Sequence, residues 1–236
     1  MNVKLAAAQR RKATQHIGES VKMLNKLKFT LFLIASYATP AWTNGLESLQ
    51  TYLQSTQTGR AEFTQTVTSP AREGQAPKVK NSSGSFEFSR PNRFKFIYKK
   101  PFEQTLVADG QTLWMYDVDL NQVTSSKQAN VLASTPAALI ASSPDLKTLE
   151  QYFALQAAPD QDGLSWVLAT PKSKDGALQS IRVGFKPAGG GLAALDIVDS
   201  FGQRSVLKFQ AFTINPTLSV QTFNFTPPVG TDVIKQ

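Results

Sequence analysis

From Ala61 onward, apolar side chains recur at every second position, segment after segment, with only short turns between. Ala61, Phe63 and Val67 alternate with Glu62, Thr64 and Thr66. Phe86 and Phe88 share a parity with Arg90, and Phe94, Phe96 and Tyr98 form the next alternating run after Pro91-Asn92. Asp109-Gly110 reads as a type I′ hairpin turn, which needs positive φ at both positions, joining 105–108 to 112–116. A turn around 119–121 leads to 122–125, and the alternation returns at about 164–170, 178–186, 192–199 and 203–213. An extended tail is expected at 223–225. A period of two excludes helix, and successive strands joined by tight turns pair antiparallel. About eleven strands without linker or repeat make one domain over 42–236. A sheet of that size curls. The expected fold class is therefore mainly β with helices: an incomplete, unclosed antiparallel β-barrel carrying a helical lid.

Helical spacing occurs in two places. Asn44 and Glu47 form a capping box ahead of the stripe Leu46, Leu49, Tyr52 and Leu53, and the helix is expected to end near Gly59. Residues 129–152 interrupt the strands. There Thr135-Pro136 opens a short, nearly all-apolar helix with Ala137, Leu139 and Ile140, and Pro144-Asp145 opens another with Leu146, Leu149, Tyr152 and Phe153.

The charge is uneven. The whole chain carries +8, but residues 1–41 account for +6 of it, and the +2 left for the rest is no footprint for nucleic acid. The basic segment has the layout of a secretory signal: Lys26 and Lys28, an apolar run from Phe29 to about Tyr37, then small residues. Met23 is the expected start, and cleavage is expected after Ala38 or Ala41. The apolar run is about half the roughly 20 residues a spanning helix needs. The mature chain then has no Cys and no His, because the one histidine is His16. Zinc sites, thiol nucleophiles and histidine bases are absent with them. Residues 117–121 open like a calcium loop but have Gln122 and Gln128 where a glycine and an acid are needed. No metal, cofactor or enzymatic activity is expected.

Leu113-Trp114-Met115-Tyr116 is bulky on both parities, more than a two-layer domain needs. The expectation is that one face packs and the other lines an apolar cavity. Each of these residues taken singly also fits an ordinary core.

The stretch "SRPNRFKFIYKKPFEQTLVADGQTLWMYDVDLNQVT", with "FTQTV" at 63–67 and the later "FNFTPPVGTDVI", resembles the LolA family of outer-membrane lipoprotein carriers, over about 46–234. The resemblance implies a monomeric periplasmic chaperone that binds the acyl chains of lipoproteins. It would accept them from an inner-membrane lipoprotein-releasing ABC transporter and pass them to an outer-membrane lipoprotein receptor. It maps a lid latch onto Arg90, a first-helix contact onto Leu53, and the lid helix onto 136–140 with Pro136, Ala137, Leu139 and Ile140. It makes Phe94 a position sensitive for transfer. Phe86, Phe88, Phe94, Phe96, Leu113, Trp114 and Met115 are the expected lining of the acyl cavity or its mouth. Arg90 lies on the apolar parity of its strand, where an unpaired guanidinium is costly, so acceptors are expected in the 130–140 lid and at the end of the first helix. Two rivals are a lipid-sensing periplasmic regulatory domain and a carboxylate enzyme acting on an envelope glycan. Sensors of the first kind carry a second C-terminal domain, and the chain here stops just after "FTPPVGTDVI". A fluorescent fatty acid bound near Trp114 or Trp166 is expected to separate the enzyme from the other two.

Overall fold

The computed structural model describes residues 44–71, 73–131, 143–173 and 176–236. The expected signal segment 1–41 and lid helix 136–140 lie outside them. Among the described residues twelve strands form one sheet, in the order β12-β6-β5-β4-β3-β2-β1-β11-β10-β9-β8-β7. In chain order these are β1 (Thr58–Thr68), β2 (Val79–Ser89), β3 (Arg93–Lys100), β4 (Gln104–Ala108), β5 (Thr112–Asp117), β6 (Gln122–Lys127), β7 (Phe153–Gln161), β8 (Leu164–Pro171), β9 (Leu178–Phe185), β10 (Leu192–Asp199), β11 (Arg204–Ile214) and β12 (Asp232–Lys235). Every pairing is antiparallel except that of β12 with β6. β7 and β12 end the strand order, so the sheet is unclosed.

The helix Gly45–Ser55 (α1) begins as its sequence demands. The Asn44 side chain accepts the Glu47 N–H at 3.0 Å. Leu49, Tyr52 and Leu53 are buried and Leu46 is half-buried. Tyr52 reports the curl of the sheet. Its ring lies 6.3 Å from Phe88 on β2 and 5.5 Å from Phe185 on β9. A flat sheet would hold those strands about 19 Å apart; only a sheet wrapped around α1 brings both to one ring. The concave face holds a single core running from Phe86, Phe88, Phe94 and Phe96 to Val167, Ile181 and Leu195.

The structure corrects several expectations. α1 stops at Ser55, with Thr56 in extended conformation, and not near Gly59. Gly59 lies within β1, paired with Phe88, and a Cβ there would meet the Phe88 ring at 2.2 Å. Only Gly110 of the Asp109-Gly110 pair has positive φ, at 105°; Asp109 instead accepts the Gln111 and Thr112 N–H groups, both at 2.8 Å. The turn with two positive φ values is Asp162-Gly163, at 56° and 72°. It joins β8 to β7, a strand where helix end and loop were expected. The helix from Asp145 is shorter than its stripe, Leu146–Tyr152 (α3), and Phe153 opens β7. Residues 223–225 are not a strand, while β12 is one.

One irregularity shapes the interior. Along β11, Leu207 and Phe209 face the core, so Ala211 should follow them inward. A bulge opposite Ala61, with Ala211 at φ 49°, turns Phe212 inward instead. Its ring then meets Tyr52 at 6.3 Å and Phe88 at 6.5 Å.

Gly84 supports the same core from β2. A Cβ there would lie 1.9 Å from the Ile97 carbonyl oxygen and 3.0 Å from the Phe63 ring. Gly84→Ala should lower the unfolding free energy by about 3 kcal/mol, at the upper end for overpacking. Urea denaturation should show this as a lower midpoint at unchanged slope.

Candidate functional site

The site is built at one end of the inner row of β2. Gly84, Phe86 and Phe88 point inward in alternation, and Arg90, one residue past the strand, continues the row. Its main chain is held by a hydrogen bond from its N–H to the Gln57 carbonyl, 2.9 Å. Its side chain is only 7% exposed. Nε donates to the Ser143 carbonyl at 2.6 Å. The guanidinium lies over the Tyr52 ring at 4.7 Å and the Phe88 ring at 5.2 Å. Among the described residues neither Nη1 nor Nη2 has a well-placed acceptor. Burial lowers the Arg90 pKa, and Tyr52 offsets part of that; the group stays charged. Burial also pushes the Tyr52 phenol upward, and the Arg90 charge counters this only in part. Two aromatic faces and one carbonyl are modest compensation for a buried cation, since a cation–π contact contributes about 0.5–2 kcal/mol.

Among the described residues the acceptor is Ser143. The expected acceptors at 132–140 lie outside the described residues. α1 offers the face of Tyr52 where carbonyls at the helix end were expected. Leu53 is buried in the core beside it. Pro136, Ala137, Leu139 and Ile140 lie outside the described residues.

The expected cavity residues divide between two faces. Register pairs Phe88 with Phe94, Phe94 with Ala108, and Ala108 with Leu113; likewise Phe86 with Phe96, Phe96 with Leu106, and Leu106 with Met115. All six expected positions other than Trp114 therefore share the concave face. Phe86, Phe88, Phe94 and Phe96 are fully packed, with Phe86 and Phe96 stacked at 4.3 Å. Toward β5 the cover thins: Leu106 and Leu113 are half-buried and Met115 is 38% exposed. Beyond Tyr98, whose phenol burial pushes upward, the same face opens into a cavity of about 840 Å³ where Tyr98, Phe102 and Leu120 lie among polar residues that include Lys80, Asp117 and Asp119.

Trp114 pairs with Val107 on the opposite face. There it packs against Phe225 at 5.7 Å, and Tyr116 does the same at 6.2 Å. The bulk on both parities of β5 thus has a structural cause: the segment after β11 crosses the outer face and needs a floor. Trp166 pairs with Gly184 and also faces outward. Neither tryptophan is placed to report an inner ligand.

Two residues that fix the site carried no functional signal in the sequence. Asn215 accepts the N–H groups of Gln57 (2.7 Å) and Thr58 (3.3 Å), and its Nδ2 donates to the Ser55 carbonyl at 2.8 Å. It closes the end of α1 from 160 residues away. Gln128 opens the short helix Gln128–Val131 (α2). It donates to the Asn92 carbonyl at 2.6 Å and accepts the Gly110 N–H at 3.0 Å, tying together the two turns that flank β3 and β4.

A family model described as "Outer membrane lipoprotein carrier protein LolA" matches residues 54–226. An outer-membrane lipoprotein carrier protein of Albidiferax ferrireducens is 63% identical over 210 residues, 88% of this chain and 99% of that one. Another, from Methylibium petroleiphilum, is 50% identical over 83% of this chain and 92% of that one. Among solved structures, an uncharacterized conserved protein from Thermus thermophilus aligns with a TM-score of 0.48 and 14% identity, over 81% of this chain and 98% of that one.

Asn215→Gly retains the positive φ of 53° but removes the cap. It should cost about 1–3 kcal/mol of stability, and amide exchange at Gln57 and Thr58 should accelerate more than elsewhere in β1.

Proposed function

The chain belongs to the LolA family of outer-membrane lipoprotein carriers, and on that premise we propose that it shields the acyl chains of lipoproteins across the periplasm. It is a carrier and not an enzyme. It takes cargo from an inner-membrane ABC transporter and yields it to an outer-membrane lipoprotein receptor. The segment from Met23 to Ala38 or Ala41 directs export and is removed. No helix among the described residues is long and apolar enough to cross a membrane.

The need for such a carrier is set by water. Each methylene moved out of water is worth about 0.8 kcal/mol, so an acylated peptide does not cross an aqueous gap unaided. The concave aromatic row offers a replacement surface with few charges to desolvate. In the closed form that row is filled by its own rings and by α1. Cargo therefore enters by displacing side chains and whatever covers the row. The chains run over Phe94, Phe96, Leu106, Leu113 and Met115, and only Tyr98, Phe102 and Leu120 continue that surface into the polar cavity beyond. Trp114 has no part in this path.

The observation that carries the reading is the thin bonding of Arg90. One well-formed hydrogen bond, two ring faces and a weaker interaction with the Tyr52 hydroxyl hold a buried guanidinium whose Nη1 and Nη2 lack a well-placed acceptor among the described residues. The empty state is thereby closed but not deeply stabilised. Opening breaks one charged hydrogen bond, about 1.5–3 kcal/mol. That cost is subtracted from the apolar gain on binding, which keeps affinity low enough for onward transfer.

Arg90→Leu removes both the bond and the buried charge. The variant should fold, load lipoprotein at least as well as wild type, and release it to the receptor poorly. A reconstituted two-step transfer assay reads both steps. Release at the wild-type rate would reject the latch.

A further inference from the structure

The closed form leaves five buried polar atoms without hydrogen-bond partners among the described residues: Tyr52 Oη, Thr56 Oγ1, Ser143 Oγ, and Nη1 and Nη2 of Arg90. Folded proteins keep few such groups, and each costs about 1–3 kcal/mol. These are not scattered. Arg90 lies over the Tyr52 ring, interacts weakly with the Tyr52 hydroxyl and donates to the Ser143 carbonyl. The Thr56 N–H bonds the Tyr52 carbonyl at 3.0 Å, and the next residue, Gln57, accepts the Arg90 N–H. The five atoms thus belong to one locus, at the end of the aromatic row beside Phe88.

All five can donate a hydrogen bond; the three hydroxyls can also accept one, but Arg90, the only charged member, can only donate. Among the described residues no carboxylate pairs with Arg90. A locus of unmet donors at the head of an apolar row matches one class of ligand: hydrocarbon chains that end in acceptor oxygens. Hydrocarbon alone leaves the donors unmet.

We propose that Tyr52, Thr56, Ser143 and Arg90 form a polar subsite for the ester carbonyls that join two acyl chains to a glycerol unit. This rests on the carrier reading above and names the part of the cargo recognised besides its chains. Opening the closed form frees the Arg90 nitrogens and the three hydroxyls together. The ester carbonyls then take up donors that were unpaired, so the headgroup contributes to binding only when the chains are already in the row. The subsite selects lipids with carbonyls next to the chains over equally apolar lipids without them.

The test compares two uncharged probes of equal chain length, dioctanoylglycerol and its dioctyl ether, by displacement of an apolar dye from the mature protein. The diester should bind roughly tenfold tighter, the effect of one to two added hydrogen bonds. In Tyr52→Phe and Thr56→Val, which preserve shape, the diester-to-diether ratio should fall toward one. The thermal midpoint of the empty protein should hold or rise, because each loses an unpaired hydroxyl. Equal affinity of the two probes for the wild-type protein overturns the subsite and leaves the carrier reading standing. Failure of both probes to displace the dye overturns both. A ratio unchanged in both variants also overturns the subsite.

Discussion

A helix held inside a curled sheet is the constraint on which the rest depends. α1 fills the concave face, and its Tyr52 touches rings from β2, β9 and β11 at once. Strands this far apart in the sheet reach one ring only because the sheet bends. The bend is helped by small residues where large rings cross: Gly59 under Phe88, Gly84 under Phe63, Ala61 beside the bulge at Ala211. The sheet does not close, since β7 and β12 remain its edges. The interior is therefore a packed core at one side and a progressively exposed apolar surface toward β5.

That gradient is what lets one fold be both stable and receptive. The half from β8 to β11 packs mainly aliphatic side chains, with Phe185 and Phe209, against α1. The half from β2 to β5 carries aromatic rings, which offer a large apolar surface that can re-pack with limited loss of conformational freedom. Arg90 lies between Tyr52 of α1, Phe88 of β2 and the Ser143 carbonyl. A buried cation with incomplete partners is a poor source of stability. It is, however, well suited to a state that must be abandoned, because little is lost when the cover leaves.

Much of this is legible in the residues. The period of two locates most strands within a residue or two, and the cap at Asn44 locates the start of α1. Parity places Arg90 in the row of Phe86 and Phe88. Other features depend on contacts distant in sequence. Phe153 completes a helical stripe yet opens β7, because pairing with β8 overrides the weak strand preference of an alanine-rich segment. Parity states which residues share a face but not which face turns inward. Trp114 is expected in the cavity for that reason, and the packing of Phe225 decides otherwise. Asn215 and Gln128 act on backbone groups far along the chain, and no local pattern marks them.

The central claim is that lipid is taken by the concave face alone. Methyl NMR with methyl-protonated, otherwise perdeuterated protein and protonated stearic acid tests it directly. Short-range cross-peaks from the fatty-acid chain are predicted to Leu106, Leu113 and Met115, while Val107 and Val123, buried on the outer face, receive none. Cross-peaks to Val107 and Val123 with none to the inner methyls would contradict it.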